Sequence, residues 1–137
     1  MSAKDFYHDT VRTALNNDGW QITHDPLEFR VGVLLRIDLG AEQLISAEKG
    51  TEKIAVEVKS FLIDSAISEY HRALGQYINY RRALRMNDPE RLLYLAVPED
   101  AYQSFFSIEF IRNGIEEEGI NLLVYDPAQK EIVKWQN

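Results

Sequence analysis

A glutamate and a lysine stand two residues apart in an otherwise apolar stretch, Lys-Ile-Ala-Val-Glu-Val-Lys-Ser at 53–60. In an extended strand, residues i and i+2 leave the same face. Glu57 and Lys59 therefore project together, set among Ile54, Val56 and Val58. Two charges in such a run are costly to bury unless they pair or bind something charged. The plain alternative is an edge strand carrying a solvated Glu/Lys pair.

The upstream sequence adds acids to this pair. Gly50-Thr51 reads as a tight turn joining strands over 44–49 and 53–60. That turn sets Leu44 roughly opposite Glu57 and Glu42 roughly opposite Lys59. By period-two counting Asp38, Gly40, Glu42 and Leu44 share one side of the incoming strand. Asp38 or Glu42, or both, can then join Glu57 and Lys59. Gly40-Ala41 is a candidate bulge that would re-aim Asp38.

Carboxylates converging beside a lysine have a definite chemical use. Hard divalent cations such as Mg²⁺ or Mn²⁺ take oxygen ligands, often one or two carboxylates with waters and a substrate phosphate. The cation polarises the phosphate and lowers the pKa of a bound water. A lysine can orient that water or neutralise charge developing on the phosphate. Asp38, Glu57 and Glu42 are the candidate metal ligands, and Lys59 the candidate catalytic cation. This is the layout of a metal-dependent phosphodiesterase. A salt-bridged hairpin is the structural alternative.

The rest of the chain must position these groups. Its 137 residues fit one domain spanning 1–137, and 45% hydrophobic residues suffice for a core. No apolar run is long enough to span a membrane. The first residues lack the apolar stretch of a secretory signal. The absence of cysteine excludes disulfides and thiolate zinc sites. A soluble cytoplasmic protein is the expectation. The net charge of −7 opposes nonspecific affinity for nucleic acid. Arg72, Arg81, Arg82, Arg85 and Arg91 nonetheless make the middle of the chain basic, and DNA contact is expected there, or else a partner supplies the charge.

Residues 3–17 read as an amphipathic helix closed by Asp18-Gly19. Its acids complement the macrodipole, or Asp9 joins the acidic cluster. Trp20 opens a strand, Asp25-Pro26 turns, and 29–39 lead into the strand bearing Asp38. Asp64-Ser65 caps a long helix over 66–86, with Ile67, Tyr70, Leu74, Tyr77, Ile78 and Leu84 at helical spacing. Gln76 lies off that stripe, on a face with Ala73, Tyr80 and Ala83. It is either exposed or able to reach a phosphate or metal-bound water. The tyrosines read as core or interface.

The apolar run 92–97 has the pattern of a central strand covered on both faces. Pro98-Glu99-Asp100 opens a helix whose Phe105, Phe106, Phe110 and Ile111 should pack on the sheet, with Asn113-Gly114 interrupting it. Two short strands close the chain over 120–125 and 131–135. The expected order is helix, three strands, helix, strand, helices, two strands.

An Asp followed by Glu-x-Lys on neighbouring strands, within helix–strand–strand–strand–helix–strand, resembles the PD-(D/E)XK nuclease superfamily. More closely, the chain resembles the XisH family, the fdxN element excision controlling factors. Four stretches carry that likeness: Asp-Gly-Trp-Gln-Ile-Thr-His-Asp-Pro-Leu (18–27), Ile-Asp-Leu-Gly-Ala-Glu (37–42), Ile-Ala-Val-Glu-Val-Lys-Ser-Phe (54–61) and Ala-Leu-Gly-Gln-Tyr (73–77).

The resemblance implies an α/β (α+β) fold with a restriction-endonuclease-like αβββαβ core, a mixed sheet flanked by helices. It implies that Asp38, Glu57 and Lys59 are the motif residues, and that Gln76 matches a helix glutamine. It implies a cyanobacterial factor in programmed excision of a DNA element during heterocyst differentiation, beside a recombinase and a second factor, XisI. The chain would be a Mg²⁺-dependent endonuclease-like factor acting on DNA. The alternative is a catalytically silent adaptor for an XisI-like partner or the recombinase. A homodimer is expected, since two-fold assemblies are the commonest and duplex DNA offers two strands.

Overall fold

The computed structural model describes residues 3–46, 50–62 and 65–137. Helix α1 (Ala3–Asn17) is followed by strands β1 (Gln21–His24), β2 (Leu27–Arg30), β3 (Leu34–Ile37), β4 (Leu39–Ser46) and β5 (Gly50–Val58). Helix α2 (Ala66–Asn87), strand β6 (Leu92–Pro98), helices α3 (Glu99–Ser104) and α4 (Glu109–Glu117), and strands β7 (Leu122–Asp126) and β8 (Glu131–Gln136) complete the chain. Six strands form a mixed sheet in the order β1-β4-β5-β6-β7-β8, and β2 and β3 form a ribbon of their own. The expected mixed sheet flanked by helices is present. Among the described residues, no helix is long and apolar enough to cross a membrane.

The sheet is buried on both faces because its central strands are apolar on both. In β6, Leu93, Leu95 and Val97 face a core that includes Tyr70, Tyr77 and Leu84 of α2 and Ile111 and Ile115 of α4. Tyr94 and Ala96 face a second core with Val11 and Leu15 of α1 and Trp20. β5 divides the same way, with Ala55 on the α2 side and Ile54 and Val56 on the α1 side. β5 and β6 run parallel, which requires a crossover long enough to return the chain. α2 supplies it, opened by Ser65, whose hydroxyl accepts the Ser68 N–H as expected of the cap.

Two expectations are corrected. The stretch 29–39 is not one strand leading to Asp38. Gly32, at φ +84°, sits in the turn that folds β2 back on β3, a backbone conformation glycine adopts without steric cost. Leu27 and Ile37 anchor the ribbon in the α2-side core. The second correction concerns 99–117. The interruption falls between α3 and α4, where Phe106 enters the core, while Phe110 stays 75% exposed.

Asn113 and Gly114 lie inside α4. Tyr70 Oη sits 2.6 Å from where a Cβ on Gly114 would stand. Glycine here permits close approach of α2 to α4 at the expense of helix propensity. Gly114→Ala gains about 1 kcal/mol of propensity and loses about 1–3 kcal/mol to overpacking. Urea unfolding is expected to show a net loss of about 1 kcal/mol. In a Tyr70→Phe background the same substitution is expected to stabilise, because the clashing hydroxyl is gone.

Candidate functional site

β4 and β5 are antiparallel neighbours with Leu39 opposite Val56, Ala41 opposite Ile54, Glu42 opposite Lys53 and Leu44 opposite Thr51. The expected register was six residues longer on β5. Gly50 and Thr51 are not the turn; both belong to β5, and residues 47–49, assigned to the incoming strand, lie outside the described residues. The slip is even, so every side chain keeps its expected face. It changes which acids meet. Continued one residue past Leu39, the register brings Asp38 beside Glu57. Glu42 is left four residues away, roughly 13 Å along the strand at about 3.3 Å per residue.

Two backbone-to-carboxylate hydrogen bonds lock the Asp38–Glu57 pair. Val58 N–H donates to Asp38 Oδ2 at 2.8 Å, and Asp38 N–H donates to Glu57 Oε1 at 3.2 Å. Asp38 occupies the break between β3 and β4, so its N–H is free of a ladder partner and available to Glu57. The expected bulge at Gly40-Ala41 is absent from the β4–β5 ladder; the irregularity lies on β1, between Ile22 and His24. Gly40 is needed for space, since a Cβ there would stand 3.1 Å from the His24 side chain.

Lys59 follows the last residue of β5, and its N–H still donates to Ala96 O at 2.9 Å. Tyr125 Oη donates to its carbonyl at 3.3 Å. With the backbone held on both sides, Lys59 Nζ stands 3.8 Å from Glu57 Oε2, both side chains largely buried. Burial raises the Glu57 pKa most, and the neighbouring Asp38 charge raises it further. Lys59 and the Asp38 N–H oppose this rise, and the pKa reaches about 8. Glu57 is 7% exposed, so a second negative charge beside Asp38 is poorly solvated and the carboxyl holds its proton.

Helix α2 contributes a residue that sequence reasoning placed only in core or interface. The Tyr80 pKa is pushed up to about 12, by burial first and then by the charges of Glu57 and Asp38. Its hydroxyl is therefore a neutral donor within electrostatic reach of both acids. Gln76 lies one turn earlier, half-buried, and its Oε1 is buried without a hydrogen-bond partner among the described residues. No hydrogen bond joins Gln76 to Asp38, Glu57 or Lys59 among the described residues. The i, i+4 spacing of Gln76 and Tyr80 puts both on one flank of the helix, and that spacing was the available signal for Tyr80.

Other candidates lie elsewhere. Glu42 Oε1 is 3.5 Å from Arg91 Nη2, so this expected ligand serves a different ion pair. Arg91 is 6% exposed and also donates to Asp88 and to the Ile54 carbonyl. That removes it from the expected DNA-facing arginines. Arg81 donates to the carbonyls of Glu118 and Gly119. Asp9 is on α1, which packs on the opposite face of the sheet. The described residues hold no group of three or more acids or histidines close enough for a metal ion. The site is a pair of carboxylates with a lysine and a tyrosine.

The family model described as XisH protein matches residues 1–133. The chain belongs to the XisH family. It is 52% identical to an XisH family protein from Nostoc punctiforme, covering 97% of this chain and 100% of that one at a TM-score of 0.89. An fdxN element excision controlling factor protein from Anabaena variabilis is also 52% identical, over 97% of this chain and 99% of that one, again at 0.89. No curated protein matches the chain.

The raised Glu57 pKa has a stability consequence. The unfolded carboxyl titrates near 4.5 and the folded one near 8. Between those values the native state binds the extra proton, so stability is fully present below the unfolded pKa and is lost as pH rises through 8. Metal-free protein is expected to lose about 4 kcal/mol relative to Glu57→Gln between pH 5 and 8.5. Thermal unfolding across that range checks it. A Glu57→Gln curve parallel to wild type would contradict the assignment.

Proposed function

We propose that this XisH family member is a metal-dependent, DNA-directed phosphodiesterase of the PD-(D/E)XK kind, an accessory factor in programmed excision of a DNA element. The observation that carries this reading is the coupled pair Asp38–Glu57, tethered backbone to side chain, with Lys59 Nζ 3.8 Å from Glu57. The excision role rests on the likeness to the Anabaena variabilis factor.

The donor set fits a hard cation. Asp38 and Glu57 each accept one backbone N–H, which fixes the carboxylates, and the second Glu57 oxygen, Oε2, stands 3.8 Å from Lys59 Nζ. Two carboxylates with waters and a phosphate are a common Mg²⁺ environment. Asp38 and Glu57 would hold Mg²⁺ or Mn²⁺, without the expected Glu42. When bound, the cation supplies a polarised phosphate oxygen and a water of lowered pKa.

The chain's own groups do the remaining work. To hold the cation Glu57 would release its proton to solvent, which would make affinity pH-dependent. Lys59, whose ammonium stands 3.8 Å from Glu57, would turn toward the attacking water or the phosphate oxygens. The Tyr80 hydroxyl, held neutral, donates to a phosphate oxygen, and the unpartnered Gln76 carbonyl accepts from a bound water. A recombinase would carry out strand exchange, and an XisI-like protein is the proposed companion.

An adaptor reading also has an observation in its favour. Phe110 and Ile108, at the start of α4, are 75% and 51% exposed, and exposed apolar pairs of this kind serve protein contacts. Calorimetry with Mn²⁺ and cleavage of plasmid DNA in Mg²⁺ separate the two readings. The phosphodiesterase reading expects a site lost in Glu57→Gln and cleavage reduced about 100-fold or more in Lys59→Ala. Wild-type protein that neither binds Mn²⁺ nor cuts DNA would leave the adaptor. Cleavage unchanged by Lys59→Ala would overturn the mechanism.

A further inference from the structure

We infer that the β2–β3 ribbon is a groove-entering element that selects duplex DNA for the site described above. The inference deepens the phosphodiesterase reading and rests on it. The ribbon shares no hydrogen-bonded ladder with the main sheet, so its function is not to extend that sheet. Its base is fixed by Leu27 and Ile37 in the core. Its last residue, Ile37, is followed immediately by Asp38. Whatever the ribbon docks on is thereby indexed to the carboxylate pair within one residue of chain.

The free end of the ribbon combines a cationic and an apolar character. Arg30 is exposed at the end of β2, next to the turn, while Arg36 lies at the ribbon's base, beside Ile37, and is 62% exposed in its pair with Glu28. Val33, beside Gly32 in the turn, is 61% exposed. Across from the turn, Asn79, Arg82 and Met86 of α2 form the other wall of a groove of about 440 Å³ that Val31, Val33 and Leu35 line. Together the ribbon and α2 carry six arginines against two glutamates, in a chain of net charge −7. Arg81 alone of the six is committed to backbone carbonyls.

This charge separation favours a polyanion over an acidic or neutral protein surface. A two-stranded ribbon fits the roughly 12 Å width of the major groove of B-DNA, whereas a single strand offers no groove to enter. Arg30, Arg36 and Arg82 would meet phosphates on the groove walls, and the Val31–Val33 turn would pack on base edges such as thymine methyls. These arginines lie on solvent, so their removal leaves the core intact.

Binding to a 20-base-pair duplex and to the matching single strand, in Ca²⁺ and across a salt series, tests the inference. Wild type is expected to prefer the duplex. Arg30→Ala with Arg82→Ala is expected to lower duplex affinity about tenfold or more and to flatten the salt slope by about 2. Val33→Asp is expected to weaken the duplex without changing the oligomeric state. Arg112→Ala on α4 is the control that should bind as wild type does. Equal affinity for single strand and duplex, no DNA binding, or ribbon variants indistinguishable from Arg112→Ala would each overturn the inference. So would Val33→Asp dissociating an oligomer while duplex affinity holds. Mn²⁺ calorimetry on the same variants separates the two levels: an intact metal site with a silent ribbon sinks only the ribbon, and a missing metal site sinks the phosphodiesterase.

Discussion

Two crossed hydrogen bonds hold two carboxylates where electrostatics would separate them. Val58 N–H reaches Asp38, and Asp38 N–H reaches Glu57. Each acid is thus fixed by the backbone of the strand that bears the other. Like charges in a poorly solvated space repel strongly, and the response is a retained proton on Glu57, the nearby ammonium of Lys59 and a neutral tyrosine hydroxyl. The surrounding structure supports this arrangement. β6 accepts the Lys59 N–H and β7 holds its carbonyl through Tyr125, while Tyr80 of α2 lies within electrostatic reach of both acids.

The arginines show how one residue type divides between support and surface. Arg91 is buried, and its donors go to Asp88, Glu42 and the Ile54 carbonyl. It ties the end of α2 to the middle of β5 and to Glu42 on β4. Arg81 donates to the carbonyls of Glu118 and Gly119, just past the C-terminal end of α4, where a cation complements the negative end of that helix. Arg30, Arg36, Arg72, Arg82 and Arg85 remain exposed around the ribbon and α2, Arg36 and Arg72 beside Glu28 and Glu69. The basic middle of the chain is real, but only part of it is available to a partner.

Much of the fold was legible because its signals are local. The unbroken apolar run of β6 marked a strand covered on both faces, and Ser65 marked the start of α2. Asp38, Glu57 and Lys59 were legible as one group because period two is insensitive to an even slip. The register was not legible. Gly50-Thr51 has turn chemistry, yet it is used as extended strand, and that choice alone decides between Asp38 and Glu42. Gly32 was the overlooked mark of the ribbon, since one glycine in an apolar stretch reads as easily as a strand interruption. Tyr80 was placed on the Gln76 face but read only as core or interface, because a half-buried tyrosine in sequence carries no sign of which charges lie beside it.

Membership of the XisH family and a TM-score of 0.89 to two relatives place the fold beyond the reach of these register errors. The chemistry depends on something narrower, a cation held between two tethered acids. Anomalous diffraction from crystals grown with millimolar Mn²⁺ addresses it directly. A single peak is predicted in contact with both Asp38 and Glu57, with Glu42 still paired to Arg91. An empty space between those two carboxylates, or a peak held by Glu42 instead, would contradict it.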